Sequence, residues 1–419
     1  MSGPVTVAAG GVAPPAARLR AVPAAVISAA LLGVNVASYA FTALAARTLA
    51  PAAYGELAAL MGILFIGVVP ATAMQAAAAL HLGRSRLDRA VDVRRVHATA
   101  LVAGLGVGTL GLVATAPLVA LLHLTGAAAV GWLVLLVVPH TVVGGYEGLL
   151  QGTGRYGRLA GVSVSFGISK VAGGVAGLLL EHTPAGAMAG MAIGACCGAV
   201  LGWLACGRPG VQRGLREPTA AMLRAAGALL GFVVLLNLDL LLARHYFPGR
   251  VAGEYAVATL FAKIAFWLPQ GVGVVLLPRL ADPVERRRAL PSALVVVAVL
   301  GGLLTLGTAA LGARALPLVG GSAYGAALGS AGWLFAALGT VLALAQLLVY
   351  SGIAAADRLA VVVVWAAAAG ECLIVAALAA AGVLSVIALV VTALGMAGTA
   401  VVVGLVRALP RRRTTPAEE

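Results

Sequence analysis

Charge is what this chain has least of. Only 10% of its 419 residues are Asp, Glu, Lys or Arg, against roughly 25% in a soluble globular domain, and this excludes a water-soluble fold. Lysine is nearly missing, with Lys170 and Lys263 its only examples. Aromatics make up 5%, too few to interleave with the basic residues, so the net charge of +14 does not describe a nucleic-acid surface. The cysteines, Cys196, Cys197, Cys206 and Cys372, show no metal-ligand spacing and lie in or near apolar runs, where they serve as small apolar residues. No Gly-x-x-x-x-Gly-Lys-Ser/Thr loop is present, and no soluble segment is long enough for an ATPase, which excludes nucleotide-driven action. The spacing suggests no cofactor or metal. No loop has the size expected of a membrane glycosyltransferase, polymerase or ligase, so the chain does not read as an enzyme.

What is there is hydrocarbon, 62% hydrophobic residues with a mean hydropathy of +1.05. A membrane-spanning helix needs about 20 apolar residues. Cutting at charged, Gly and Pro breaks gives twelve spans, near 22–46, 56–80, 97–121, 127–150, 159–180, 186–207, 222–246, 254–278, 290–313, 324–350, 358–381 and 383–407. The stretch before the first span, with Pro14, Pro15, Arg18 and Arg20, reads as a cytoplasmic tail and not a cleaved signal. Arginine then falls in alternate connections, from Arg84 to Arg95, Arg155 and Arg158, Arg208 to Arg224, Arg279 to Arg288, Arg358, and Arg407 to Arg413. Only Arg47, Arg244, Arg250 and Arg314 fall on the other side. That bias predicts both termini inside.

The second positive feature is a repeat. Ala46-Arg47, Pro51 and Gly55-Glu56 return as Ala243-Arg244, Pro248 and Gly253-Glu254, and Gln151-Gly152 with Arg158-Leu159-Ala160 returns as Ser351-Gly352 with Arg358-Leu359-Ala360. The expected halves are 1–207 and 208–419. An even number of spans in each half makes the repeat parallel, so the expected fold is all-α integral membrane, with two parallel six-helix pseudo-repeats around a central cavity.

The stretch from Leu44 to Leu57, LAARTLAPAAYGEL, resembles the first and second helices of bacterial polysaccharide (O-antigen type) flippases. So do Leu150 to Tyr156, and Asn237 to Arg244 with Ala252 to Ala256. The resemblance covers the whole chain at the level of twelve spans and implies the multidrug/oligosaccharidyl-lipid/polysaccharide exporter superfamily. It implies a bacterial inner-membrane protein that moves an undecaprenyl-diphosphate-linked oligosaccharide between leaflets, with glycan polymerase and glycosyltransferases as possible neighbours and no nucleic acid. Peptidoglycan-precursor flippases usually carry fourteen helices, so twelve is a departure. A cation-coupled drug extruder of the same superfamily is the alternative. A facilitator of the major superfamily type would carry a Gly-x-x-x-Asp-Arg signature, of which Gly83 to Arg89 is only a loose echo. A non-transport scaffold for glycan assembly would leave the intramembrane charges unexplained.

A lipid-linked diphosphate needs positive charge along its path. Lys170 and Lys263 are the candidates within spans, either lining the cavity or pairing structurally with an acid. Asp239 and Lys263 both fall about 9–14 Å from the outer face at 1.5 Å per residue, so they are expected to pair there. Glu371 matches the position beside Lys170 in the repeat and is either a group for proton coupling or a neutral structural glutamate. Glu147 lies near the inner surface, functional or simply paired with Arg155 or Arg158. Arg47 and Arg244, at matched outer ends, suit either bidentate phosphate contact or an anchor that complements the helix dipole. Pro70 and Pro269 are candidate hinges.

Overall fold

The computed structural model describes residues 33–84, 89–212, 220–267, 283–325, 328–354 and 357–408. Among them every regular element is helical. The first half comprises α1 (33–48), α2 (Pro51–Gly67), α3 (Val69–Arg84), α4 (Arg89–Leu121), α5 (Ala127–Gly152), α6 (Tyr156–Glu181) and α7 (Pro184–Ala205). The second comprises α8 (Ala220–Tyr246), α9 (Gly249–Trp267), α10 (Pro283–Leu311), the short α11 (Ala315–Gly320), α12 (Gly332–Ala354), α13 (Arg358–Ala380) and α14 (Val386–Ala408). Ten helical stretches among the described residues are long and apolar enough to cross a membrane. The two remaining places in the repeat are taken by α1 and by α9, which carries Arg250, Glu254 and Lys263.

Local chemistry explains the boundaries. Pro51 and Pro184 open α2 and α7 in the first turn, where a missing N–H has no partner to lose. Thr183 completes the start of α7 by accepting from the Gly186 N–H at 3.0 Å. The second span is longer than expected and is broken: α2 ends at Gly67, Val68 caps it, and α3 begins at Val69. Pro70, next in line, has no N–H to offer the Ile66 carbonyl. The tenth span begins at Gly332 and not near 324, because Gly321, Gly325 and Gly329 adopt positive φ values of 92°, 117° and 51° and turn the chain. Pro269 and the second part of the expected eighth span lie outside the described residues.

The packing repeats as the sequence does. In the first half α5 is central and contacts α3, α4 and α7; in the second α12 contacts α9, α10 and α14. Likewise α1 lies on α6, where Phe41 faces Gly174, and α8 lies on α13, where the Trp365 Nε1–H donates to the Gly227 carbonyl at 3.1 Å. The third helices α4 and α10 are peripheral and present Val102, Leu105, Leu110, Leu303 and Leu306 outward. Large aliphatics on the outside suit lipid, which offers them the same environment as a core.

The halves differ in tightness. In α6 and α7, Gly173, Gly177, Gly190 and Gly194 let the two backbones touch, and a methyl group on Gly190 would collide with the Gly173 carbonyl oxygen. Helix pairs in lipid gain from close approach of this kind, since burial against lipid-like neighbours gives no hydrophobic advantage. Their counterparts, α13 and α14, contact each other over much less of their length. Gly190→Ala is therefore expected to destabilise the protein by about 1–3 kcal/mol. Gly395→Ala, where a methyl group meets open space, should leave the melting temperature in detergent unchanged or slightly raised.

Candidate functional site

A small, mainly apolar-walled cavity lies among α8, α9 and α12. Asn237, Asp239, Thr259 and Lys263 line it, with Leu236 and Leu338 among its apolar walls. Depth explains why these residues are held so closely. The Tyr255 hydroxyl donates to the buried Asp239 carboxylate at 2.9 Å, and the Asn237 side chain donates to the Val233 carbonyl at 2.9 Å. The other amide atom of Asn237, Oδ1, is buried without a partner. The Lys263 ammonium stands 5.6 Å from the centre of the Phe65 ring on α2, and the Tyr39 hydroxyl of α1 reaches the Lys263 carbonyl at 3.5 Å. Lys263 thus sits where the two halves meet. Glu371 is 0% exposed and neither carboxyl oxygen has a hydrogen-bond partner; Asp239 and Tyr255 lie within electrostatic reach of it.

The first half has its own charged cluster. Ser163 on α6 donates to the Glu147 carboxylate on α5. Lys170 lies within electrostatic reach of Glu147 and holds its ammonium 5.7 Å from the centre of the Phe166 ring. His140 stands edge-on to that ring at 4.8 Å, and its Nδ1 is buried without a partner.

Two expected pairings are absent. Asp239 and Lys263 share the cavity and lie within electrostatic reach of each other but make no direct ion pair, because the Tyr255 hydroxyl satisfies the carboxylate and the Phe65 face takes the ammonium. Glu147 does not pair with Arg155 or Arg158. It turns into the bundle towards Ser163 and Lys170, while Arg158 donates to the Ala205 carbonyl at 3.4 Å.

The matched arginines are brought together at one end of the bundle. Arg244 is 6% exposed and spends all its nitrogens on the first half: Nε on the Leu122 carbonyl at 2.9 Å, Nη2 on that of His123 at 2.9 Å, and Nη1 on that of Ala52 at 3.3 Å. The Glu56 carboxylate, 1% exposed, lies 3.9 Å from it and accepts from the Thr125 backbone N–H and hydroxyl. Arg47 is exposed and donates to the Leu318 and Val319 carbonyls of the second half at 2.8 and 3.1 Å. Nearby, the Gly325 N–H donates to Glu254 at 3.3 Å and the Tyr324 hydroxyl donates to the Ala46 carbonyl at 3.0 Å. Burial, with the neighbouring Glu254 carboxylate, pushes the Tyr324 hydroxyl up to about 12, so it stays a donor at physiological pH.

Residue-by-residue reading of the sequence passed over Glu56, Glu254, Tyr255, Tyr324 and His140. Both glutamates stood inside the repeated string, which was the signal for them. The tyrosines and the histidine carried none, because their importance lies in neighbours distant along the chain.

No family model matches the sequence, and no curated protein does. In three dimensions the likeness is extensive. A multidrug resistance MATE family transporter of the MOP superfamily, in an inward-facing conformation, superposes with a TM-score of 0.68 over 88% of this chain and 94% of its own at 12% identity. The lipid II flippase MurJ, in an inward closed conformation, gives 0.67 over 91% and 87% at 12% identity. A MOP superfamily transporter from Pyrococcus furiosus, whose binding pocket is described as of reverse polarity suggesting a different function, gives 0.52 over 92% and 93% at 13% identity. At these identities what is shared is the fold.

Removing Arg244 would strand the buried Glu56 and several carbonyls. Arg244→Ala is expected to cost about 3 kcal/mol of stability, whereas Arg47→Ala, at an exposed site, should cost about 1 kcal/mol or less. Thermal unfolding of both variants in detergent checks the difference; equal losses would show that burial of Arg244 carries no weight.

Proposed function

We propose that this chain is a bacterial inner-membrane transporter that flips an undecaprenyl-diphosphate-linked oligosaccharide from the inner to the outer leaflet by alternating access. The reading extends a fold shared over nearly the whole chain with a MATE family transporter and with MurJ. Within such a fold the polarity of the path separates one cargo from another, and this path has two lysines. The single observation that carries the proposal is how they are held. Lys170 and Lys263 stand 5.7 and 5.6 Å from the ring centres of Phe166 and Phe65, each within electrostatic reach of a carboxylate, Glu147 and Asp239, but in a direct ion pair with neither. A cation held by a ring face, at about 0.5–1 kcal/mol, is easily lent to an incoming phosphate. A charge-assisted hydrogen bond to that phosphate is stronger than the ring contact it replaces.

In this reading the arginine bias places both termini in the cytoplasm and puts the Arg47 and Arg244 end outside. Both guanidiniums are occupied by carbonyls in the present conformation, so they meet the headgroup only after that end has opened. The break at Val68 beside Pro70 supplies a hinge in the first half, and Pro269 takes the matching part in the second. Asp239, Glu371 and Glu147 are the groups assigned to coupling, and a polymerase or glycosyltransferases acting on the same glycan are its natural neighbours.

Cation-coupled drug extrusion is the second reading. Glu371, buried with Asp239 nearby and with neither carboxyl oxygen hydrogen-bonded, is the observation that favours it.

Deletion of the protein is expected to leave lipid-linked glycan on the cytoplasmic leaflet, read by leaflet-resolved labelling; unchanged glycan with altered dye sensitivity would establish extrusion instead. Lys170→Ala and Lys263→Ala, at wild-type abundance, should each lower glycan export tenfold or more. Full export by either variant would take that lysine off the path.

A further inference from the structure

The repeated Ala-Arg, Pro, Gly-Glu string occurs in two places that are far apart in sequence and adjacent in space. We propose that its two copies form a reciprocal clasp that shuts one mouth of the path between the halves, the outer one by the arginine bias. The proposal rests on alternating access but not on the nature of the cargo.

The geometry is built from both copies. At its centre Gly55 of α2 faces Gly253 of α9, so closely that a Cβ on Gly55 would stand 2.9 Å from the Gly253 nitrogen and one on Gly253 would collide with the Pro51 carbonyl. From that contact each arginine crosses to the other half. Arg244 takes carbonyls of the connection between α4 and α5, and Arg47 takes those of α11, which lies in the connection between α10 and α12. These two connections occupy the same place in the repeat. Each glutamate then holds its own half's connection, Glu56 through Thr125 and Glu254 through Gly325. His245 and Tyr324 add crossings from the second half to the first, His245 with the Leu121 carbonyl at 2.6 Å and Tyr324 with that of Ala46.

The choice of partners makes the clasp releasable. Arg47, exposed and bound to neutral carbonyls, gives up less on separation than a guanidinium beside a carboxylate in a dry site, which is the position of Arg244 next to Glu56. At the mouth, water replaces each carbonyl as it leaves. The carbonyl at Ala52 completes the closure of α2 against the second half without any side chain from α2.

The test uses the full chain with its four cysteines replaced by serine. Ala52→Cys with Gly249→Cys places thiols at positions whose Cβ atoms would be 3.1 Å apart, and this pair should cross-link nearly completely under mild oxidation. In the same pair, Gly253→Ala or Arg47→Ala should slow cross-linking at least fivefold. Separately, Leu236→Cys in the cavity wall reports opening through a membrane-impermeant maleimide added outside cells. Its labelling should quicken about tenfold in Gly253→Ala and in Arg47→Ala. Parental cross-linking and labelling rates in both variants, or no cross-link in the parent, would overturn the clasp. Arg47 is exposed, so its variant folds even if Gly253→Ala does not. Neither rate depends on the cargo, and a negative glycan assay alone leaves the clasp standing.

Discussion

Where Gly55 meets Gly253, two helices approach with no side chain between them, and this contact sets the distance between the halves. An arginine can bridge that distance; a shorter side chain could not. The same closeness buries the Arg244 guanidinium, which in turn makes the surrounding carbonyls and Glu56 necessary, since a buried charge without hydrogen bonds costs several kcal/mol. The conformation of the connections at 122–125 and 318–325 follows from this. They are shaped to present carbonyl oxygens to an arginine from the opposite half.

Deeper in the bundle the constraint changes from reach to partnership. Hydrocarbon supplies no hydrogen bonds, so each polar group must find one inside the protein or remain unsatisfied. Threonines such as Thr141 and Thr340 solve this locally by donating to the carbonyl four residues back. Asp239 solves it across helices through Tyr255. Asn237 Oδ1, His140 Nδ1 and both oxygens of Glu371 do not. These exceptions lie beside the two lysines or beside Asp239, and each unpaired buried group costs stability.

The halves share a plan without sharing stiffness. The glycine-lined α6 and α7 form a tight hairpin, and the first half's charges, Glu147 and Lys170, are anchored to α5 and to that hairpin. In the second half α13 and α14 are less closely joined, and α13 carries Glu371 towards α8. Motion of α13 against α8 would change the surroundings of Asp239 and Glu371 together. A comparable movement in the first half would have to break backbone contacts between α6 and α7.

Much of this could be read from the chain alone. Twelve apolar runs, their parallel pairing and the matched strings around Arg47 and Arg244 follow from composition and periodicity, because lipid demands helices of nearly fixed length and a duplicated sequence folds twice in the same way. Helix boundaries were less legible where glycines turned the chain, as at 321–329. Pairing was hardly legible at all. Depth along a helix put Asp239 level with Lys263, yet depth does not specify which face of a helix a residue occupies, and Tyr255 and Phe65 took the two groups instead. Rise per residue likewise brought Glu147 near Arg155, but rotation about the axis aimed it at Ser163. The sequence by itself determined that the chain is a set of apolar helices, roughly where they fall, and that a string around Arg47 returns around Arg244. The tertiary structure decided which charges meet, because helix rotation and the closeness of two backbones are set by packing against neighbours that lie far away in the chain.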